Sequence, residues 1–174
     1  MQIELITIVV DDYDPAIAFF TGVLGFELIE DSPATTTDGH AKRWVVVRPP
    51  DGNREWVTRL LDAGVWNLHV PQVETPEQAA EIAACARYAP LGERGMYGFG
   101  PHTMYETVPP AEHMANANAR VHVTAMLETK RAFDYLDEIA SVPGIDALTI
   151  GPTDLAQNLG VLGTPAQKPT LLKY

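Results

Sequence analysis

Residues 121–154, VHVTAMLETKRAFDYLDEIASVPGIDALTIGPTD, constrain the fold more than any other stretch. The first run alternates: Val121, Val123, Ala125 and Leu127 fall on one face, and His122, Thr124, Met126 and Glu128 on the other. A period of two is a strand signal. Ala132, Phe133, Leu136, Ile139 and Ala140 then recur at helical spacing, and Pro143-Gly144 ends that helix. A second apolar run, Asp146 to Ile150, leads into Gly151-Pro152-Thr153-Asp154. Strand, helix and strand at this length make a βαβ unit, whose strands run parallel because a crossover helix joins them. Ligands gather at the carboxyl ends of the strands in such units. Glu128 and Asp154 stand there, one per strand. Two carboxylates at neighbouring strand ends suit a hard divalent cation that takes its other oxygens from substrate and water.

The rest of the chain reads around this unit. Residues 3–10, IELITIVV, predict a strand. Asp14-Pro15 predicts a helix start, with Ile17, Phe20, Val23 and Leu24 as its apolar stripe and Gly25 closing it. Phe26 to Glu30 and Arg43 to Val47 predict two more strands around a polar turn region. Pro49-Pro50-Asp51-Gly52 must leave the sheet. Asn53 caps a helix carrying Trp56, Val57, Leu60 and Leu61, ended by Gly64, and Val65 to Val70 follows as a strand. Thr75-Pro76-Glu77-Gln78 is a capping box with proline at the first helical position, opening a helix to about Tyr88. A loop rich in glycine and proline separates it from a short helix at 111–119. Past Asp154 one short helix is expected, and residues 165–174 show no obvious element.

At 174 residues the chain is long enough for one sizeable core or two small ones. Its net charge of −11 argues against nucleic acid and anionic membrane as partners. No apolar run reaches transmembrane length, and the first twelve residues lack a basic n-region. The single cysteine, Cys85, permits no intrachain disulfide, which makes the cytoplasm the expected location and a buried thiol the expected role. Ser32 and Ser141 are the only serines, neither in a nucleophile-elbow context, and no Walker or GxGxxG phosphate loop is present.

Two resemblances follow from longer words in the sequence. VVDDYDPAIAFFTGVLGFELIED and KRWVVV, within residues 1–47, resemble the opening βαββ of a glyoxalase/bleomycin-resistance module of the vicinal oxygen chelate (VOC) superfamily. That family often places a metal-binding histidine on its first strand; Leu5 stands at the corresponding position and cannot ligate. VVVRPPDGN, RLLDAGVWNLHVPQVET, ARYAPLGERG, MANAN, MLET and VPGIDALTIGPTDLAQNLG, from about residue 45 to 167, resemble the HpcH/HpaI class II aldolases, which are (β/α)8 barrels. This second resemblance implies a pyruvate-type carbon–carbon lyase. It implies that Glu128 and Asp154 hold Mg²⁺, Mn²⁺ or Co²⁺. It implies that Arg48 grips the carboxylate and keto oxygen of a 2-oxo acid, as a guanidinium does in bidentate fashion. Gly151, Pro152 and Thr153, beside the metal aspartate, are the remaining candidate substrate contacts.

The resemblance also marks departures. The chain matches the third to sixth barrel strands, so the histidine-bearing loop that supplies that family's base has no counterpart, and His40 is a weak substitute. A glutamine often stands two residues before the metal glutamate; here it is Met126. His69 and His122 are expected as barrel-interior polar residues, and His102 and His113 as exposed. The Arg94-Gly95-Met96-Tyr97-Gly98 loop resembles the family's active-site loop; a mobile surface loop is the plainer alternative. The expected fold is therefore α/β: a partial TIM-barrel parallel sheet over residues 48–174, with a VOC-type βαββ segment over residues 1–47 continuing that sheet. Open sheet edges imply a homo-oligomer. The function implied is a weak or inactive metal-dependent lyase on 2-oxo acids such as pyruvate. The alternatives are a non-catalytic chimera of two folds, recombined or engineered, and a VOC-type binding or resistance protein, against which Leu5 argues.

Overall fold

Strand β4 (His122–Leu127) lies at the middle of a three-stranded parallel sheet, between β3 (Asn67–Val70) and β5 (Ala147–Ile150). The computed structural model describes residues 12–35, 39, 41–48 and 55–174. The strand expected at 3–10, His40, the turn at 49–52 and the cap at Asn53 lie outside the described residues. In the parallel sheet Val70 stands opposite Ala125, and Leu127 opposite Ile150. Val123, Ala125 and Leu127 are buried as the alternation requires, but so are Thr124 and Glu128. A central parallel strand is covered on both faces, which is why the polar side of the pattern is also inside.

Helix α2 (Glu55–Asp62) buries Trp56, Val57, Leu60 and Leu61 as its stripe demands, each contributing roughly 1.5–3 kcal/mol of apolar transfer. Gly64 follows at φ 95°, a left-handed position that stops the helix. Helix α3 (Pro76–Ala86) begins at the expected capping box: the Gln78 N–H donates to Thr75 Oγ1, and the Thr75 N–H to Gln78 Oε1. Cys85 is buried on it. Helix α4 (Pro110–Arg120) precedes β4. The single helix expected between β4 and β5 is two short ones, α5 (Lys130–Asp134) and α6 (Leu136–Ala140), parted at Tyr135, whose φ of −113° and ψ of 20° leave the helical region. No proline or glycine forces that break, and the structure offers no physical reason for it. Helix α7 (Pro152–Asn158) starts directly after β5, so Asp154 lies inside it rather than ahead of it. A further short helix, α8 (Gln167–Leu171), occupies a segment expected to carry none.

The N-terminal part departs from expectation. Helix α1 (Tyr13–Ala18) is capped by Asp12, two residues before the expected Asp14, because the Asp12 carboxylate accepts the Asp14 N–H at 3.1 Å. It runs on as a π-turn, Phe19–Val23, and Gly25 closes it at φ 70°. Strands β1 (Glu27–Thr35) and β2 (Ala41–Arg48) pair antiparallel with each other, Glu27 opposite Arg48. Among the described residues this hairpin is a separate two-stranded sheet and does not continue the parallel one. Arg43 adds a cross-strand ion pair to Asp31 and a second contact to Asp14 of α1. The segment joins the main core through aromatic packing: Phe20 meets Phe26, and Phe26 meets Trp56 edge-on at 4.6 Å between centroids.

At the amino ends of the parallel strands the charges are paired. Arg87, just past α3, donates to Gly144 O at 2.6 Å and to Asp146 Oδ2 at 2.7 Å, and the same oxygen accepts the Val123 N–H. Nearby, Arg94 is buried against Asp62 at the end of α2, with its guanidinium 4.6 Å from the Tyr88 ring centroid. His102 and His113, expected to be exposed, are buried instead, with ring centroids 5.1 Å apart. The two ring nitrogens of His102 face Asp62 O at 2.9 Å and Tyr97 O at 2.8 Å; His113 Nε2 faces the Tyr88 hydroxyl at 3.3 Å. These polar partners and the ring contact hold the two imidazoles inside. Of the strand histidines, His69 is half-buried and His122 is exposed, so only the first is near its expected setting.

Burial, with the nearby His102 and Arg94 charges adding to it and Asp62 opposing, holds the His113 imidazole below its usual pKa. The unfolded ring takes its proton near the ordinary value of about 6.5, and the folded ring only at lower pH. Between those two values the unfolded state binds more protons, so stability falls as pH falls. Urea unfolding as a function of pH should show a loss of stability below about pH 6.5 that is smaller in His113→Gln. An identical slope in both proteins would show that His113 does not carry the effect.

Candidate active site

Glu128 is the first residue past β4, and Gly151 the first past β5. Since Leu127 pairs with Ile150, the two positions lie side by side at the carboxyl rim, and the Gly151 N–H donates to Leu127 O at 3.2 Å. Glu128 is only 5% exposed. Its Oε2 accepts the Gln72 N–H at 2.8 Å from the turn after β3. Its Oε1 lies against the Gly151 α-carbon: a Cβ there would sit 2.4 Å from Oε1 and 2.6 Å from Cγ. Gly151 has φ −90°, open to any residue, so space and not backbone conformation makes this position glycine.

Asp154 is the third residue of α7, in its first turn, where the unpaired helix amides favour a negative charge. It is exposed, and its charge reaches Glu128. Burial raises the Glu128 pKa most, the Gln72 N–H opposes that, and the Asp154 carboxylate raises it further. Among the described residues no lysine, arginine or histidine forms an ion pair with Glu128. A buried carboxylate without a counter-charge is unfavourable unless it is neutralised by a proton or a cation. The oxygen-only donor set is that of a hard divalent ion. Among the described residues no group of three or more His, Cys, Asp or Glu side chains gathers at one point. A cation held by Glu128 and Asp154 would thus take its remaining oxygens from water or substrate. Within those terms, the residues present fit such an ion.

The surroundings hold this rim in place. Thr129 caps α5 by accepting the Ala132 N–H, and donates its hydroxyl to Glu74 Oε1 at 2.7 Å. The Lys130 N–H donates to Asn158 Oδ1 at 3.0 Å, tying the start of α5 to α7. Gln72 adopts φ 55°, a left-handed conformation that costs a residue with a Cβ about 1–2 kcal/mol. Sequence reasoning missed Gln72, because no local pattern marks a glutamine for positive φ. Pro152 and Thr153, the first two residues of α7, are exposed beside Gly151. Met126 is half-buried on β4. Arg48 is not brought to this rim by strand pairing: its backbone ends β2 in the antiparallel hairpin, and its side chain lies outside the described residues. Arg94, from the loop expected at the active site, turns inward to Asp62 instead.

A model of the HpcH/HpaI aldolase/citrate lyase family matches residues 29–173, and the chain belongs to that family. It is 42% identical over 123 residues to the 4-hydroxy-2-oxovalerate aldolase of Novosphingobium aromaticivorans, a match over 68% of this chain and 44% of the relative. It is 40% identical over 118 residues to the hydroxypyruvate/pyruvate aldolase of Deinococcus radiodurans, covering 67% and 42%. The crystal structure of the HpcH/HpaI aldolase from Desulfitobacterium hafniense superposes with a TM-score of 0.65 at 34% identity, over 72% of this chain and 48% of that one. The chain therefore spans less than half the length of these relatives. The family match begins at residue 29, well ahead of the junction expected at 47/48, and takes in most of the β1–β2 hairpin. Nothing in these likenesses supports a glyoxalase half-module over residues 1–47 or a fusion of two folds.

Gly151→Ala pushes a methyl group into the Glu128 carboxylate and should cost about 1–3 kcal/mol of unfolding free energy. In a Glu128→Ala background, where those atoms are gone, the same change should cost much less. Denaturant unfolding of the four proteins in this cycle checks the contact; equal costs in both backgrounds would mean that Gly151 makes room for something else.

Proposed function

We propose that this chain carries the metal-holding part of a carbon–carbon lyase for 2-oxo acids, with pyruvate as donor or product. The observation that carries the reading is a buried Glu128 with no cation beside it among the described residues, sharing one rim with the Asp154 carboxylate. Family membership supports the same reading, as do relatives whose names are those of 2-oxo acid aldolases. In this reading Glu128 and Asp154 hold Mg²⁺, Mn²⁺ or Co²⁺. When bound, such an ion polarises the 2-oxo carbonyl and stabilises developing enolate charge. Gly151, Pro152 and Thr153 line the approach of the substrate. Arg48 binds the substrate carboxylate, with β2 delivering it from the hairpin side. Location in the cytoplasm is part of the reading; among the described residues no helix is long and apolar enough to cross a membrane.

In this reading the chain divides at 47/48, with the hairpin-bearing part ahead of the parallel sheet. The hairpin's separate ladder supports a second reading, in which the chain is folded but non-catalytic because Arg48 is not held on the parallel sheet. Exposed strand edges and apolar residues such as Ile150 and Leu172 support a homo-oligomer. Size-exclusion chromatography with light scattering should give at least a dimer; a stable monomer at all concentrations would refute that element.

Retro-aldol release of pyruvate from a 4-hydroxy-2-oxo acid, with added Mn²⁺ or Co²⁺, separates the two readings. Wild type should be slow but measurable, and Glu128→Gln should lose at least about 100-fold, since losing one of two carboxylate ligands weakens or empties the site. Equal background rates in both proteins would leave the non-catalytic reading standing.

A further inference from the structure

The Gln72 peptide touches this rim through its N–H. It is the second residue past β3, after Pro71, and it holds positive φ in a residue that has a Cβ. Its side chain is exposed, and no hydrogen bond from its amide group is seen among the described residues, so the side chain does not explain the conformation. The backbone does. The turn at Gln72 aims its N–H at Glu128 Oε2, 2.8 Å away, and the next N–H, of Val73, returns to Met126 O on β4 at 3.3 Å. The turn is thus clipped to β4 by two consecutive amides, one on the strand and one on the carboxylate at its end.

A glutamate side chain has three rotatable bonds, and burial alone does not choose which oxygen faces the rim. Here the choice is made from two sides. The Gln72 N–H holds Oε2, while the absent Cβ of Gly151 makes the space that Oε1 occupies. Among the described residues Oε1 accepts no hydrogen bond, and the oxygen left unbonded is the one available to a ligand.

We infer that Gln72 is a positioning residue: its left-handed peptide fixes the Glu128 carboxylate so that one oxygen is committed to the backbone and the other is presented at the rim. This rests on the metal-site reading above for its purpose, but the contact itself is independent of it. The role belongs to the peptide and its conformation, not to the glutamine side chain. Side chains that accept positive φ should therefore preserve it, and β-branched ones should not.

The test compares Gln72→Gly, Gln72→Asn, Gln72→Ala and Gln72→Val in the full chain, with two readouts. The first is hydrogen exchange of the residue-72 amide in metal-free protein. The second is the dissociation constant for Mn²⁺ by calorimetry. Gly, Asn and Ala should keep a protected amide and a Kd within about threefold of wild type. Val should lose the protection and weaken Mn²⁺ binding about tenfold or more, the range seen when a ligand loses its supporting hydrogen bond. Glu128→Ala should release the amide in an otherwise folded protein. A Val variant with wild-type affinity, or an amide that exchanges freely in wild type, would overturn the inference. An Ala variant as weak as Val would also overturn it, by assigning the contact to the side chain. Wild type that binds no Mn²⁺ but keeps a Glu128-dependent protected amide would overturn the metal reading and leave the positioning contact standing.

Discussion

The parallel pairing of Leu127 with Ile150 is the constraint on which the site depends. It sets the next residue of each strand, Glu128 and Gly151, side by side at one rim. Side chains alternate along a strand, so a slip of one residue would turn Glu128 to the opposite face and bring a different neighbour to it. The register is held from both ends. At the amino end, Asp146 accepts both the Val123 N–H and the Arg87 guanidinium, joining β4, the approach to β5 and the end of α3. At the carboxyl end, Gly151 N–H closes onto Leu127 O. Between them lies a strand whose Val123, Ala125 and Leu127 are buried on one face and Thr124 on the other.

What was legible in the sequence follows from how local each signal is. The capping box at Thr75 and the stripe on α2 depend on residues within one or two turns, and the structure reproduces them. The β4–β5 unit was legible because an alternating run, a helical stripe and a second short apolar run follow one another within thirty-odd residues. The hairpin was not. Strand signals at 26–30 and 43–47 say nothing about which edge the strand will join, and β1 and β2 chose each other. That choice is what leaves Arg48 off the parallel sheet. His102 and His113 were misjudged for a related reason. A glycine-rich loop reads as surface, but its backbone carbonyls can fold over an imidazole, as Tyr97 O does over His102.

Family wording filled part of that gap and went without support elsewhere. It pointed to Glu128 and Gly151, which touch, and to Asp154, whose charge reaches Glu128. It also pointed to a second family over residues 1–47, although the aldolase likeness already begins at 29. Short words such as a strand followed by an amphipathic helix and a glycine recur across folds, because the same caps and periodicities build all of them. A likeness of that kind carries the element and not the ancestry. Gln72 was beyond both kinds of reading, since its importance lies in a peptide's orientation.

The contrast between the two ends of the sheet says most about purpose. At the amino end the chain twice matches a buried arginine with an aspartate, Arg87 with Asp146 and Arg94 with Asp62. Such pairing is the direct way to keep a charge inside a protein. At Glu128 the same chain does otherwise. It uses a neutral peptide N–H from a strained turn, keeps a glycine where any larger residue would displace the carboxylate, and sets a second acid nearby. Each of these satisfies geometry, and none supplies positive charge. A position shaped only for stability would take an arginine or an apolar side chain. Among the described residues the Glu128 carboxylate is buried, oriented and paired with no cationic side chain, which leaves its charge to be met by a proton or, in the proposed function, by a cation from outside the chain.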